Sequence, residues 1–279
     1  MATGVLRSFS AGAAVARAAL AWIRRDPKAP ALERTNFHGR TVTLAGGPAL
    51  ALGATTAAAL GARDGRSAAA ALTAGAVAGG VGFYDDVVGN RPEQKVFKGF
   101  AGHLGALREG MVTSGLVKIA GVGAGALVAS ALIGSERRGR LGRTADVLLG
   151  AGVIAGTANL VNLLDLRPGR AIKAAAVIGA PLALGKGGGI AAGTLGAASG
   201  VVAEDLGEEI MLGDAGANAL GALLGVALIS RTGPAGRAAA LTVLASLTAA
   251  SEKVSFTQVI QDTPWLRYLD ELGRRPAQP

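Results

Sequence analysis

The chain has 279 residues, of which 50% are hydrophobic and only 17% charged, with 44 glycines and no cysteine. A charged fraction this far below the roughly 25% of soluble domains argues against an ordinary soluble fold, and the missing cysteines exclude disulfides, thiolate metal centres and a cysteine nucleophile. The formal charge of +9 would suggest nucleic acid in a soluble protein, but the aromatic content is 4% and no nucleic-acid motif is present; in a membrane protein such an excess marks cytoplasmic loops and anionic headgroups instead.

Apolar runs of membrane-spanning length recur along the chain. Nine segments are predicted, at roughly 5–23, 41–62, 66–84, 111–134, 144–164, 171–185, 188–203, 211–230 and 236–251. They describe an all-α, polytopic membrane bundle of about nine transmembrane helices. The first segment carries Arg7 and Arg17 and reads as a membrane helix rather than a signal peptide, since no cleavage pattern stands out from the general alanine richness. The sixth and seventh are short and broken at Gly185-Lys186-Gly187-Gly188-Gly189. That run resembles a phosphate-binding loop but lacks the Ser or Thr after the lysine, and reads as a connection between helices. Residues 1–262 form the membrane domain, and 263–279 a short amphipathic tail. There Pro264 opens a helix with Trp265, Leu266, Leu269 and Leu272 on one face. The tail is too short to span, and would lie at the interface or cap a site. The density of small residues suits close helix packing and permits a homodimer.

Connections between nine spans alternate sides. One side holds Arg24, Arg25, Lys28, Arg34 and Arg40, then Arg91, Lys95, Lys98 and Arg108, then Arg167, Arg170 and Lys173, and the tail. The other holds fewer basic residues, though Arg137, Arg138, Arg140 and Arg143 cluster there. The positive-inside rule puts the first side in the cytoplasm of a cell-membrane protein. Three acidic sites fall on that same side: Asp85 with Asp86, Asn162 with Asp165, and Asp214 among glycines. Carboxylates at span ends are costly and point to function. Together they predict a polar site at one membrane face. Hard oxygen ligands of this kind suit Mg2+ bridging substrate phosphates, and so fit phosphoryl transfer. Arg40, Lys95 and Lys98 would balance the remaining phosphate charge. The plainer alternative is that the acids cap helices or pair with loop arginines.

These residues resemble the motifs of the polyprenyl-phosphate sugar-1-phosphate transferases, the MraY/WecA-like superfamily. An early basic segment ending in a Gly-Gly pair is matched from Glu33-Arg34-Thr35 through Arg40 to Gly46-Gly47. Asp85-Asp86 is similar to the start of the aspartate-rich motif, and Asn159, Asn162 and Asp165 follow the Asn-x-x-Asn-x-x-Asp pattern. Leu212-Gly213-Asp214-Ala215-Gly216-Ala217 resembles the Met-Gly-Asp-x-Gly-Ser motif, and the run from Ser251 to Val259 resembles the end of the ninth helix. The resemblance implies that Asp214 ligates Mg2+ and that Asp85 and Asp86 act as base or metal partner near polyprenyl phosphate. It implies that Asp165 is the nucleophile or essential acid, and that Asn159 and Asn162 face the nucleotide. Lys98 or Lys95, with Arg40, would contact phosphate, and Gln258 would line the substrate. The implied reaction moves sugar-1-phosphate from a UDP-amino sugar to undecaprenyl or decaprenyl phosphate and releases UMP, in envelope glycan synthesis such as that of peptidoglycan.

The chain departs from the pattern at three places. Gly89-Asn90 stands where a third acidic or Asn residue is usual, and Pro168 replaces the second aspartate after Asp165. Arg167 beside it would hold a phosphate instead. No histidine-rich loop follows the ninth segment; the two histidines are His38 and His103. A second expectation is therefore a non-catalytic relative that binds the polyprenyl-phosphate carrier or an envelope-assembly partner. A transporter fits less well, because the acids gather at one face rather than at the midplane.

Overall fold

The computed structural model describes residues 2–89, 91, 102, 105, 106, 108 and 110–275. Nine helices of 13 to 25 residues dominate these residues. In chain order they are α1 (Ala2–Arg24), α2 (Gly46–Leu60), α3 (Gly65–Val88), α4 (Ser114–Ile133), α5 (Arg140–Leu164), α6 (Arg170–Leu182), α7 (Gly188–Leu206), α8 (Gly213–Arg231) and α9 (Pro234–Ser251). Two short helices follow, α10 (Phe256–Asp262) and α11 (Pro264–Glu271). Among the described residues four helices are long and apolar enough to cross a membrane: α3, α4, α5 and α8. The apolar α2 has 15 residues, about 22 Å of helix, and α6 has 13 with Pro181 inside it.

Helix α8 is the axis of the bundle. Its residues from Ala215 to Ala227 are all buried, because its neighbours meet it at glycines. A Cβ on Gly82 of α3 would strike the backbone at Asp214 and Ala215, and one on Gly221 would strike α5 at Thr157 and Ala158. The same device joins α1 to α7. A Cβ on Gly196 would enter the Phe9 backbone, and one on Gly200 the Ala13 backbone. Contacts this close replace a hydrophobic driving force that lipid does not supply. The alanine and glycine richness is thus a packing code.

The fold is not purely helical. Between α1 and α2, β1 (Glu33–Thr35) pairs antiparallel with β2 (Thr41–Thr43) in the register Glu33↔Thr43, Arg34↔Val42, Thr35↔Thr41. Asn36 shapes the turn: its Oδ1 accepts from the His38 and Arg40 N–H groups, both at 2.9 Å, and Gly39 takes φ +77°. The second predicted span therefore begins at Gly46, not at 41. β-branched Thr41, Val42 and Thr43 form the strand that precedes it. β2 also hydrogen-bonds the segment before α8, with Met211 N–H donating to the Thr43 carbonyl at 2.9 Å. That pairing sets the height at which α8 begins.

The tail helix opened by Pro264 is α11, and α10 precedes it within the segment that ends at 262. Asp270 of α11 is buried against Arg170 at the start of α6, with Nε–Oδ1 2.8 Å and Nη2–Oδ2 2.9 Å. Arg274 donates to the Pro168 carbonyl at 2.8 Å. Trp265, Tyr268, Leu269 and Leu272 remain exposed. This apolar face suits an interface, while the polar face straps the loop that follows α5.

Candidate functional site

The acidic residues of three distant segments meet at one end of the bundle. Gly213 begins the geometry. It has φ +56°, and a Cβ there would lie 2.7 Å from Asp86 Oδ1. Only glycine allows both the left-handed turn and the approach of that carboxylate. Asp86, near the C-terminus of α3, then accepts from the Asp214 N–H through Oδ1 and the Ala215 N–H through Oδ2, each at 2.9 Å. It caps the N-terminus of α8 from another helix, satisfying donors that a helix start leaves open. Arg34 Nη2 reaches the Asp86 carbonyl at 3.4 Å, tying the hairpin to the same point.

Asp85 and Asp214 converge on Lys118. The ammonium lies 2.6 Å from Asp85 Oδ2 and 2.5 Å from Asp214 Oδ2, and all three side chains are largely buried. Lys118 sits in the first turns of α4, a lone cation in an apolar run. It was not anticipated from the sequence, although a lone intramembrane lysine is itself a signal. Asn218, one turn into α8, donates to the Asp214 carbonyl at 2.7 Å.

Asp165 caps the C-terminus of α5. It lines a cavity of about 170 Å³ shared with Phe37, Arg167, Asp205, Glu208 and Met211. Burial, reinforced by the charges of Asp205, Asp214 and Asp86, pushes its carboxyl well above the usual range, and the Gly213 N–H offsets this only in part. The Arg167 guanidinium stacks on the Phe37 ring at 4.0 Å. Asp205, also unanticipated, accepts from the Gly169 N–H at 2.8 Å and so fixes the loop carrying Asp165.

Glu208 locks the hairpin to the α7–α8 connection. It is buried and carries φ +53°, a rare conformation for a non-glycine residue. It receives Asn36 Nδ2 at 2.5 Å and Arg40 Nη1 at 3.2 Å, and His38 Nδ1 lies 3.0 Å away. Burial would raise its carboxyl, but the hydrogen bonds of His38 and Asn36 and the charge of Arg40 outweigh it and hold the group below the usual range.

The expected site residues therefore divide. Asp85, Asp86, Asp165 and Asp214 gather at one end. Arg40 is near but committed to Glu208. Asn159 turns away and donates to Thr248 of α9 at 3.1 Å, so it joins helices rather than lining the cluster. Asn162 is half-buried and makes no side-chain hydrogen bond among the described residues. Gln258 is exposed on α10. Lys98, Lys95, Asn90 and His103 lie outside the described residues.

Among the described residues no three acidic or histidine side chains are grouped as a metal site. Two carboxylates do converge on a single cationic position, that of the Lys118 ammonium. This donor set fits Mg2+, which is commonly bound by one or two carboxylates with waters and substrate phosphates completing the shell. Asp86, Asp165 and Asp205 neighbour that pair, with Arg274 and Lys173 facing Asp205. No protein-family model matches the chain, and no curated protein matches it either.

Proposed function

We propose that the chain is a multi-pass membrane phosphoglycosyl transferase of the MraY/WecA type, with its nine long helices crossing the membrane and the carboxylate end in the cytoplasm. It would move sugar-1-phosphate from a UDP-amino sugar to polyprenyl phosphate, releasing UMP, in envelope glycan synthesis. One observation carries the reading. Asp85 and Asp214, from helices far apart in the chain, meet at one cationic position, and Asp86 caps the start of α8 beside them. Structural caps alone would not bring two carboxylates to one point.

Mg2+ would be held by Asp214 and Asp85, and would neutralise the phosphate charge that develops on transfer. Asp86 is then a positioning residue, because its oxygens hold α8 in place. Lys118 holds the two carboxylates together. Asp165, whose carboxyl is pushed well above the usual range by burial and by its acidic neighbours, is suited to exchange a proton with phosphate. The cavity bounded by Phe37 and Arg167 offers an aromatic face and a cation to the nucleotide end of the donor.

The second reading, a relative that binds the carrier lipid without chemistry, is favoured by Lys118 itself. An ammonium already holds the place between Asp85 and Asp214. The deciding experiment incubates the detergent-solubilised protein with undecaprenyl phosphate, Mg2+ and a panel of UDP-sugars and measures UMP. Metal-dependent UMP from one donor, absent in Asp214→Asn, is the expected result. Carrier binding without UMP from any donor would replace it with the second reading.

A further inference from the structure

We propose that the end of the bundle opposite the carboxylates holds the phosphodiester headgroup of an anionic lipid, in the cavity between Arg66, Arg143, Lys186 and Arg231. This site is independent of the transferase reading. The cavity has a volume of about 420 Å³ and lies where α3, α5, α8 and α9 begin or end. Five cations line it against two carboxylates, Glu136 and Asp146. Asp146 is already spent, since it forms a buried pair with Arg237 at 3.1 Å. Arg66, Arg143 and Lys186 make no ion pair with any described residue. Cations thus outnumber carboxylates in the basin: Arg66, Arg143 and Lys186 are exposed there, with Glu136 in the lining and Asp64 beside Arg66 as the nearby acids.

Burial adds a second observation. Asp146 Oδ1 lies in the floor with no hydrogen-bond donor, which is costly for a buried carboxylate. A headgroup hydroxyl or ammonium, or a water carried with it, would supply that donor. A neighbouring cavity of about 460 Å³ shares Lys186, Ile133 and Ser230 and adds Arg63 together with Asp64.

The surroundings select a lipid over a soluble anion. α3, α4, α5 and α8, the four helices apolar enough to span, all have an end here. Leucines at the same end are open to the outside: Leu60 is 71% exposed, Leu141 88% and Leu184 87%. Apolar side chains beside unpaired cations match a boundary between acyl chains and headgroups. Bidentate contacts from Arg143 or Arg66 to phosphate oxygens would give the charge-assisted geometry that guanidinium favours.

The test uses the full chain, delipidated in neutral detergent, with bound lipid read by native mass spectrometry. Dioleoyl phosphatidylglycerol should be retained at least fivefold over dioleoyl phosphatidylcholine. R143Q/K186Q should bring the two to the same level, whereas R138Q/R140Q, altering exposed arginines outside the cavity, should not. An excess of inorganic phosphate should fail to displace the lipid. Equal retention of both lipids, or undiminished retention by R143Q/K186Q, would overturn the proposal. Full displacement by phosphate would overturn the lipid as ligand and assign the basin to the free anion. UMP release is not read in this experiment, so its outcome does not depend on the transferase.

Discussion

The two ends of the bundle manage buried charge differently: the carboxylate end holds a crowded aspartate cluster beside its matched pair Arg170–Asp270, and the described residues of the other end hold a matched pair. At the carboxylate end, Asp85 and Asp214 close on Lys118, Asp86 caps the start of α8, and Asp165 and Asp205 lie beside them. At the other end the buried charges form one matched pair. Arg237 meets Asp146 at 3.1 Å and caps the ends of two helices through the carbonyls of Ile229, at 3.0 Å, and Gly134, at 3.3 Å. A matched pair holds helices in place. An unmatched cluster costs stability, and a fold keeps such a cost where the charge does something. The difference separates a site from a clamp without reference to any motif.

The largest effect should come from breaking the cluster's chemistry while leaving its shape. Asp214→Asn keeps the volume, and the backbone N–H that donates to Asp86 is untouched. Turnover should fall by about 1000-fold, roughly 4 kcal/mol of barrier, with an unfolding temperature near that of the wild type. UMP release and a thermal melt on the same preparation check this. A variant that is inactive because it is unfolded would not support the distinction between the ends.

The clamp should behave in reverse. Arg237→Met leaves Asp146 buried and unpaired, and should cost about 3 kcal/mol of stability. Turnover per folded molecule should stay within twofold. Adding Asp146→Leu removes the stranded charge and should recover most of the loss. Loss of turnover in the folded single variant would show that the two ends are coupled and break the comparison.

Asp165→Asn sharpens it with a change of sign. Because the folded-state carboxyl is raised, its contribution is fully present below the unfolded value and is lost as pH climbs through the folded one. At neutral pH the buried carboxyl is therefore a burden. The amide should raise the unfolding temperature by a few degrees at pH 8, shrinking to nothing near pH 4, while UMP release is lost. Melting curves at the two pH values test this. Destabilisation at pH 8 would mean that Asp165 is satisfied by partners and not strained by its neighbours.

Much of this division was legible in the sequence. The nine apolar segments correspond to α1 through α9, and the alternation of their ends put Asp85, Asp165 and Asp214 together. The hairpin was hidden because Thr41-Val42-Thr43 merges with the apolar run of α2, and its pairing partner at Met211 is far along the chain. Lys118 was hidden for a similar reason, since its partner Asp214 is 96 residues away. Asn159 was read from the resemblance to the Asn-x-x-Asn-x-x-Asp pattern; in the structure it lies on the helical part of α5 and donates to Thr248 of α9, whereas Asp165 lies just past the helix end and lines the cavity. Glu208 gave no signal, because Glu204-Asp205-Leu206-Gly207-Glu208-Glu209 reads as a solvated acidic turn.

Glu208 gives the smallest predicted effect and the finest test of how the carboxylate end is held. Its carboxyl is depressed in the folded chain by His38, Asn36 and Arg40. The resulting stability is present above the unfolded value, about 4.3 for a glutamate, and is lost as pH falls through the folded one. Glu208→Gln keeps an acceptor for Asn36 but gives up the charge that Arg40 meets at 3.2 Å. It should cost about 1 kcal/mol at pH 7, and variant and wild type should converge as the pH drops below that of the folded carboxyl. The hairpin carries Phe37, one wall of the Asp165 cavity. Loosening it should therefore raise KM for the nucleotide donor about twofold to threefold while leaving kcat unchanged. A fall in kcat at constant KM would instead place Glu208 among the groups that act on the reacting phosphate.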